Sequence, residues 1–302
     1  MMNDSNVRAA KPPLLLGAHL SIAGGYDRAI GLAGRLGCNC VQIFVKNQRQ
    51  WEGPAISDEQ AAAWRSALAS SRPRVERVVG HSAYLINLGS DDVVVRGRSI
   101  AALADELGRC RRLGVGDLVM HPGSHRGRGV EEGIRLVAKG LDEVLAADGG
   151  ETRVLLETTA GAGGLIGSVP EEIAEVMAAS RHPERLGFCM DSCHLFAAGF
   201  DVADRRVFDG LMARFEKLVG LERLGCVHLN DSAGELGSRL DRHAHIGEGR
   251  IGLAAFGHFV RDERLVGVPK VIETPKGDDL TFDRRNLRLL RKLAEEGHGQ
   301  VS

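Results

Sequence analysis

The sequence predicts an α/β protein, a single-domain (β/α)₈ TIM barrel. Short apolar runs alternate with longer segments of helical periodicity from about residue 14 to the C-terminus. The short runs are apolar almost throughout, as in parallel strands that are buried on both faces. Eight strand–helix units in about 250 residues match the size of a closed barrel. A doubly wound open sheet is the main alternative fold.

The predicted elements follow one another in a regular order. Segments 130–147 and 280–294 repeat apolar residues at the three- and four-residue spacing of a helix that covers a sheet. Segment 231–250 fits neither element and is rich in Asp, His and Gly, which is typical of a functional loop. The predicted strands are LLLGAHL (14–20), CVQIFV (40–45), RVVGHS (77–82), DLVMHP (117–122), RVLLET (153–158), LGFCMDS (186–192), LGCVHLN (224–230) and KVIETP (270–275).

Composition limits the class of protein. With 302 residues, 43% of them hydrophobic, the chain can bury one large core, and we expect one barrel domain at 14–296 between flexible tails at 1–13 and 297–302. The sequence has no apolar run long enough for a membrane span and no secretory signal, so we expect a cytoplasmic protein without a membrane partner. Its six cysteines form no CxxC pair and are interpreted as reduced core residues.

The net charge of −1 excludes general electrostatic attraction to nucleic acid. Any binding of phosphates must depend on local basic loops or on bound cations.

Each of six successive predicted strands ends in a side chain that can bind a metal ion. The carboxyl ends of barrel strands meet at one face, so these side chains are expected to converge there. A single histidine at a strand end is usually structural, but six such residues in succession, with no Lys, Ser or Thr in that place, favour a functional centre. The six residues are His81, His121, Glu157, Asp191, His228 and Glu273, and the following loops add His194, Asp241 and His243.

The chemistry of these nine residues indicates a multinuclear metal site. All are imidazoles or carboxylates, which suits Zn²⁺ or Mn²⁺, and nine ligands are too many for one ion. Two or three ions would leave positions open for a hydroxide and for substrate oxygens, as phosphodiester hydrolysis requires. Cys193 and His194 are a weaker candidate for a nucleophile pair, because adjacent side chains on an extended segment point to opposite sides.

Two loops are candidates for contact with DNA. The loop KNQRQW (46–51) combines cations, amides and an aromatic ring, a mixture that can hold phosphates and stack on bases. The loop AYLINLGS (83–90) places Tyr84 and Leu85 just past His81, where they could act as wedges in a duplex. From composition alone, the first loop is better interpreted as a solvated turn with Trp51 docked on the barrel rim, and the apolar residues of the second could equally cap the core.

The other motifs are assigned structural roles. The glycine-rich pieces AGAGG and GEGRIG match no complete phosphate-binding motif and are interpreted as turns. His19, His125 and His245 are expected to support the metal ligands or the fold.

Nine sequence blocks then identify a family. In these blocks, which occur in order from about residue 14 to 290, the chain resembles endonuclease IV, the trinuclear-zinc apurinic/apyrimidinic endonucleases. The blocks are GAHLSIAGG, FVKNQRQW, HSAYLINLG, HPGSH, LETTAGAGGLIG, MDSCHLFAAGFD, HLNDS, DRHAHIGEGRIG and IETP.

The resemblance implies three Zn²⁺ ions per chain, with Mn²⁺ as the alternative at one site. It makes Glu157 the catalytic residue that bridges two of the ions. The implied ligand sets are His81, His121 and Glu157; Glu157, Asp191, His228 and Glu273; and His194, Asp241 and His243.

The resemblance also implies the reaction. The substrate is double-stranded DNA with abasic sites or blocked 3′ ends, which is cut 5′ to the abasic nucleotide to leave a 3′-hydroxyl, or freed of the blocking group. The protein is expected to act as a monomer. Duplex-inserting residues map to Arg49, Gln50, Trp51, Tyr84 and Leu85.

Five positions depart from the family pattern: Ser82, Ala83, Thr158, Ala162 and His245. All nine ligands are kept, so the departures affect hydrogen bonds around the ligands and substrate preference rather than the chemistry. His245 is also a potential competitor of His243 for a metal ion.

Two other functions are compatible with a barrel of this kind. A metal-dependent sugar isomerase or epimerase also collects Glu, Asp and His at strand ends, but it leaves His194, Asp241, His243 and the KNQRQW loop without a role. A protein that recognises damaged DNA without cutting it is expected to have an incomplete ligand set, and here the set is complete.

Overall fold

The eight predicted strands form a closed parallel barrel in the computed structural model, which describes residues 13–296. The closure excludes the open sheet. The expected tails at 1–13 and 297–302 lie outside the described residues, apart from Pro13. In order around the barrel, the strands are β1 (Leu16–His19), β10 (Lys270–Ile272), β7 (Leu224–His228), β6 (Leu186–Asp191), β5 (Arg153–Glu157), β4 (Asp117–Met120), β3 (Arg77–His81) and β2 (Cys40–Phe44).

Helices connect the strands and cover the outside of the barrel. The predicted helix at 130–147 is found with those bounds, and the one predicted at 280–294 begins and ends one residue later. No helix within 13–296 has the length and apolar character needed to cross a membrane. The helices are α1 (Tyr26–Leu36), α2 (Asp58–Ser70), α3 (Val93–Leu113), α4 (Val130–Ala147), α5 (Pro170–Ala179), α6 (Ser192–Ala198), α7 (Arg205–Leu218), α8 (Leu253–Arg261) and α9 (Thr281–Glu295).

Segment 231–250 is more ordered than the sequence predicts. It contains two short antiparallel strands, β8 (Asp231–Ser232) and β9 (His243–Ala244). Asp231 is buried and accepts hydrogen bonds from the backbone N–H groups of Gly247, Gly249 and Ile251, at 2.9 to 3.1 Å. The prediction of a loop without regular structure is therefore wrong for these four strand residues, because pairing over two residues produces no recognisable periodicity.

The barrel interior is built in layers because side chains of a strand alternate between inside and outside. The cysteines are buried and free, as expected of reduced core residues. One apolar layer consists of Leu15, Cys40, Val79, Val119, Leu155, Cys189, Cys226 and Val271. The last six of these residues each precede a predicted metal ligand by two positions, so this layer is the floor of the site.

We expect Gly17→Ala to destabilise the barrel by at least about 2 kcal/mol. A Cβ atom at Gly17 would lie 1.8 Å from the carbonyl oxygen of Cys40 on the paired strand β2. Urea denaturation of both proteins measures the difference. Gly210→Ala in α7 is the control, because a Cβ there meets no atom within 4 Å and should stabilise the helix by about 0.5–1 kcal/mol. Equal stabilities of the Gly17 variant and the wild type would contradict the prediction.

Candidate metal centre

The nine predicted ligands gather into three groups at the mouth of the barrel. Within each group, the candidate ligand atoms all lie within 4.8 Å of one another. Glu157 belongs to two groups. The third group lies against them, with Nδ1 of His194 3.4 Å from Oε1 of Glu157 and Nε2 of His243 3.7 Å from a carboxylate oxygen of Asp191, so the three form one continuous cluster. The groups are His81, His121 and Glu157; Glu157, Asp191, His228 and Glu273; and His194, Asp241 and His243.

Backbone carbonyl groups set the direction of three of the histidine rings. Nδ1 of His81 lies 2.7 Å from the carbonyl oxygen of Ser82, and Nδ1 of His194 lies 2.8 Å from that of Thr158. Nδ1 of His243 makes a longer contact, 3.3 Å, with a carbonyl group just past β10. A carbonyl oxygen can only accept, so each ring donates from Nδ1 and presents its Nε2 atom to the cluster.

Several atoms of the cluster are buried without a hydrogen bond. Among the described residues, Oε2 of Glu157 and the Nε2 atoms of His194 and His243 have no hydrogen-bond partner. Nε2 of His121 lies only 2.9 Å from Oε2 of Glu157, and Nε2 of His194 lies 3.1 Å from a carboxylate oxygen of Asp241, yet neither contact has hydrogen-bond geometry. Buried polar atoms that crowd together in this way fit a bound divalent cation.

The charges of the cluster depend on one another. Burial raises the pKa of a carboxyl group, yet His121 and His228 outweigh this effect and hold the pKa of Glu157 well below its ordinary value. Burial lowers the pKa of an imidazole, yet Glu273 and Glu157 hold the pKa of His228 well above its ordinary value. The pKa of His243 rises to about 9, because neighbouring carboxylates again outweigh burial. Without a metal ion, protons therefore supply the positive charge.

In the segment DSCH, Ser192, Cys193 and His194 are helical, and the assumption of an extended chain there is wrong. Asp191 caps α6 by accepting the N–H of His194 at 2.9 Å, which brings this histidine into the first turn of the helix. Cys193 is buried, and burial raises the pKa of its thiol to about 12. Its sulfur lies near ligand atoms of Asp191 and His243, but a neutral thiol is a poor nucleophile and a poor metal ligand.

Three polar residues beside the ligands were missed by the sequence analysis or given no defined role. The amide of Asn230 donates to Asp191 and accepts from the N–H of Glu273, both at 2.7 Å. Thr158, one of the departures, accepts the N–H of Asp191 at 2.9 Å. Gln42, on β2, contacts the ligands Glu273 and His228 across the barrel mouth. Gln42 could have been found from the sequence, because it is a polar residue at an inward position of an otherwise apolar strand.

The remaining departures leave the cluster intact. His245 packs on Phe282 with ring centroids 4.6 Å apart, its Nδ1 lies 3.1 Å from the amide nitrogen of Asn286, and it belongs to none of the three groups. Its geometry does not support competition with a metal ligand. The backbone N–H of Ala83 contacts the buried carboxylate of Glu106 at 3.2 Å.

The other two histidines assigned supporting roles occupy different environments. Nδ1 of His19 lies 3.0 Å from Oε1 of Glu273, so His19 contacts a ligand. His125 accepts the backbone N–H groups of Gly127 and Gly129 at 3.2 Å and organises its own loop.

A groove of about 1040 Å³ adjoins the cluster and is lined in part by Arg49, Gln50, Tyr84 and Glu273. Tyr84 is 59% exposed, and its ring centroid lies 5.4 Å from that of His81. An exposed ring beside the cluster is in a position to contact a substrate that enters it.

Trp51 and Leu85 do not line this groove. Trp51 packs partly against the core, with the guanidinium group of Arg98 4.7 Å from its ring. This position matches the alternative interpretation of a tryptophan docked on the barrel rim. Leu85 is half-buried.

Comparison with known proteins identifies the family. The family described as "Xylose isomerase-like TIM barrel" matches residues 30–293. A protein of Chloroflexus aurantiacus named "Probable endonuclease 4" is 47% identical over 280 residues, which are 92% of this chain and 98% of that protein. This chain belongs to the endonuclease IV family. A "Probable endonuclease 4" of Trichlorobacter lovleyi is 45% identical over 279 residues, covering 92% of this chain and 99% of the relative.

Solved structures agree with this membership. Endonuclease IV from Thermus thermophilus has a TM-score of 0.81 and 39% identity, and the match covers 93% of this chain and 99% of that one. A D-tagatose 3-epimerase-like protein has a TM-score of 0.67 at 19% identity, covering 94% and 100% of the two chains, and shares the fold alone.

In metal-free protein, we expect binding of Zn²⁺ to release protons near pH 7 and to tighten as the pH rises toward about 9, the pKa of His243. Because this pKa lies above its ordinary value of 6.5, the ring keeps its proton below about pH 9, and the proton must leave before the nitrogen binds metal. Calorimetric titrations in two buffers of different ionisation enthalpy count the released protons. Protein already loaded with Zn²⁺ is the control, and heats that do not depend on the buffer would disprove proton release.

Proposed function

We propose that this member of the endonuclease IV family is a DNA-repair endonuclease. It hydrolyses the phosphodiester bond 5′ to abasic sites, leaves a 3′-hydroxyl, and removes blocking groups from 3′ ends. The observation that carries the proposal is the cluster of three ligand groups, two of which share Glu157, beside a groove lined by Arg49 and Tyr84.

The ligands fit Zn²⁺, with three ions per chain as the proposed number. Each group offers three or four nitrogen and oxygen atoms, which leaves coordination positions for water and substrate. Zn²⁺ held there would lower the pKa of a water molecule toward ~7 and stabilise the departing oxygen.

Glu157 has the geometry of a bridging carboxylate. Its Oε1 lies 2.9 Å from Nδ1 of His228, whereas its Oε2 lies 2.9 Å from Nε2 of His121 and 3.4 Å from that of His81. The two oxygens therefore face two different ligand groups. Since the side chain is fully buried, it cannot move away from one group without leaving the other.

The third ligand group favours a nuclease over a sugar isomerase or epimerase. His194, Asp241 and His243 extend the cluster beyond the two other groups, toward the loop after β7. Isomerisation of a sugar needs only two ions and leaves the third group without a role. A phosphodiester has several oxygens, which a third ion could help to hold.

We expect Glu157→Gln to reduce incision of abasic DNA at least about 100-fold, because a neutral amide cannot bridge two cations. Rates are measured on a duplex with one abasic site, with a pentose isomerisation assay beside it, and metal content by elemental analysis. Wild-type protein should hold about three zinc ions and the variant fewer. The control is Glu132→Gln on the surface of α4, which should leave rate and metal content unchanged.

Two results would count against this assignment. Normal turnover of the Glu157 variant with full metal content would refute the bridging role, and sugar isomerisation without incision by the wild type would refute the nuclease.

We expect Tyr84→Ala and Arg49→Ala to reduce incision of an abasic duplex by about 10- to 100-fold while leaving hydrolysis of bis(p-nitrophenyl) phosphate unchanged. Extruding a nucleotide costs a few kcal/mol, which inserted side chains offset in part, and ~1.4 kcal/mol corresponds to a tenfold change in rate. Both substrates are assayed at one salt concentration. Arg65→Ala, exposed on α2 and away from the groove, is the matched control. Equal losses on both substrates would mean that these residues support the metal site instead of contacting DNA.

A further inference from the structure

Gln42 lies in the same layer of the barrel as six of the ligands. It follows Cys40 of the apolar layer by two residues on β2, as His228 follows Cys226 on β7 and Glu273 follows Val271 at the end of β10. The side chain is 0% exposed. A buried amide must find partners for its oxygen and its NH₂ group, and these partners decide what it does.

Both ends of the Gln42 amide contact metal ligands. Its Oε1 lies 2.8 Å from Nε2 of His228, and its Nε2 lies 2.6 Å from Oε1 of Glu273 and 2.9 Å from Nδ1 of His19. An ionised carboxylate can only accept, so the NH₂ group must face Glu273. The amide oxygen then faces His228, whose Nε2 must carry a hydrogen to donate to it.

This contact explains why His228 is turned differently from other ligands. His81, His194 and His243 donate from Nδ1 to carbonyl groups and present Nε2 to the cluster. His228 presents Nδ1 instead, at 2.9 Å from Oε1 of Glu157 and 3.1 Å from Oε2 of Glu273. Its Nε2 donates instead to the side-chain oxygen of Gln42.

Gln42 selects one oxygen of Glu273 in the same way. Oε1 accepts from the amide, so Oε2 is the oxygen left to face the ring of His228. One side chain from β2 thus orients a ligand at the end of β7 and a ligand at the end of β10.

We propose that Gln42 is a positioning residue of the metal centre: it keeps the proton of His228 on Nε2, so that Nδ1 binds the metal, and it turns Oε2 of Glu273 toward the same ion. The proposal rests on the metal centre of the proposed function. It adds a requirement on β2, a strand that supplies none of the nine proposed ligands.

Gln42→Leu tests the proposal, because leucine keeps much of the volume and removes both polar ends. In protein with ¹⁵N-labelled histidine, we expect the wild type to show a slowly exchanging Nε2–H of His228 with and without zinc, and the variant to lose this protection. Affinity for one of the three zinc ions should fall about 10- to 100-fold in competition with a chelator.

Gln42→Glu separates the contact with His228 from the contact with Glu273. It also tests the proposal if the leucine variant does not fold. It keeps an acceptor for His228 but places a carboxylate against Glu273, so the protected Nε2–H should remain while zinc affinity falls. Cys40→Ala, two residues earlier on the same strand, is the matched control for lost volume and should change neither measurement.

The outcomes are distinguishable from failure of the proposed function. Suppose that the wild type binds zinc and that Gln42→Leu keeps all its zinc and an unchanged His228 signal. This result would overturn the role of Gln42 and leave the proposed function standing. A wild-type protein without zinc or incision would contradict the proposed function, and the ring proton of His228 would still report on Gln42.

Discussion

The burial of carboxylates at the mouth of the barrel is the constraint on which the site depends. Glu157 and Asp191 are 0% exposed, and an ionised carboxylate in such a place is costly unless positive charge lies against it. Histidine provides that charge in two ways, since its ring holds a proton when no cation is present and offers a lone pair when one is bound. The pKa of His228 is raised and that of Glu157 is lowered because each charge stabilises the other. The same residues therefore balance their own charges and offer ligand atoms that could hold a metal ion.

The two-residue repeat of the strands made most of this arrangement predictable from sequence. The ends of β3, β5, β6 and β7 are ligand positions, and His121 and Glu273 follow β4 and β10 by one residue, so locating the apolar strands also located the ligands. All eight barrel strands were predicted, but each prediction ran one to three residues too far at the carboxyl end. Residues such as Leu20, Val45 and Leu229 continue the apolar run in sequence although the strand has already ended, so the run alone does not mark its last residue.

Contacts that depend on the third dimension could not be predicted. Gln42 looked like a single polar residue in an apolar strand. Its contacts with His228 and Glu273 depend on closure of the barrel, which places β2 two strands from β10 and three from β7. The α6 helix was missed because DSCH is too short to show periodicity, although Asp191 is a favourable residue to begin a helix. The opposite holds for Trp51. Composition favoured a ring docked on the barrel rim, while the resemblance implied contact with DNA, and the ring is packed against Arg98.

Membership of a large barrel class leaves function to the additions on the carboxyl face. Epimerase-like barrels share this fold at 19% identity or less, so the strands themselves cannot distinguish a sugar substrate from a nucleic acid. In this chain, three features surround the site: α6, which carries His194; the β8–β9 segment, which carries Asp241 and His243; and the loops that place Tyr84 and Arg49 along the groove. The first two enlarge a strand-end site into a third ligand group, and the last opens it to a long polyanion. These features follow the carboxyl ends of the strands, where residues can differ between proteins of this fold while the barrel core is kept.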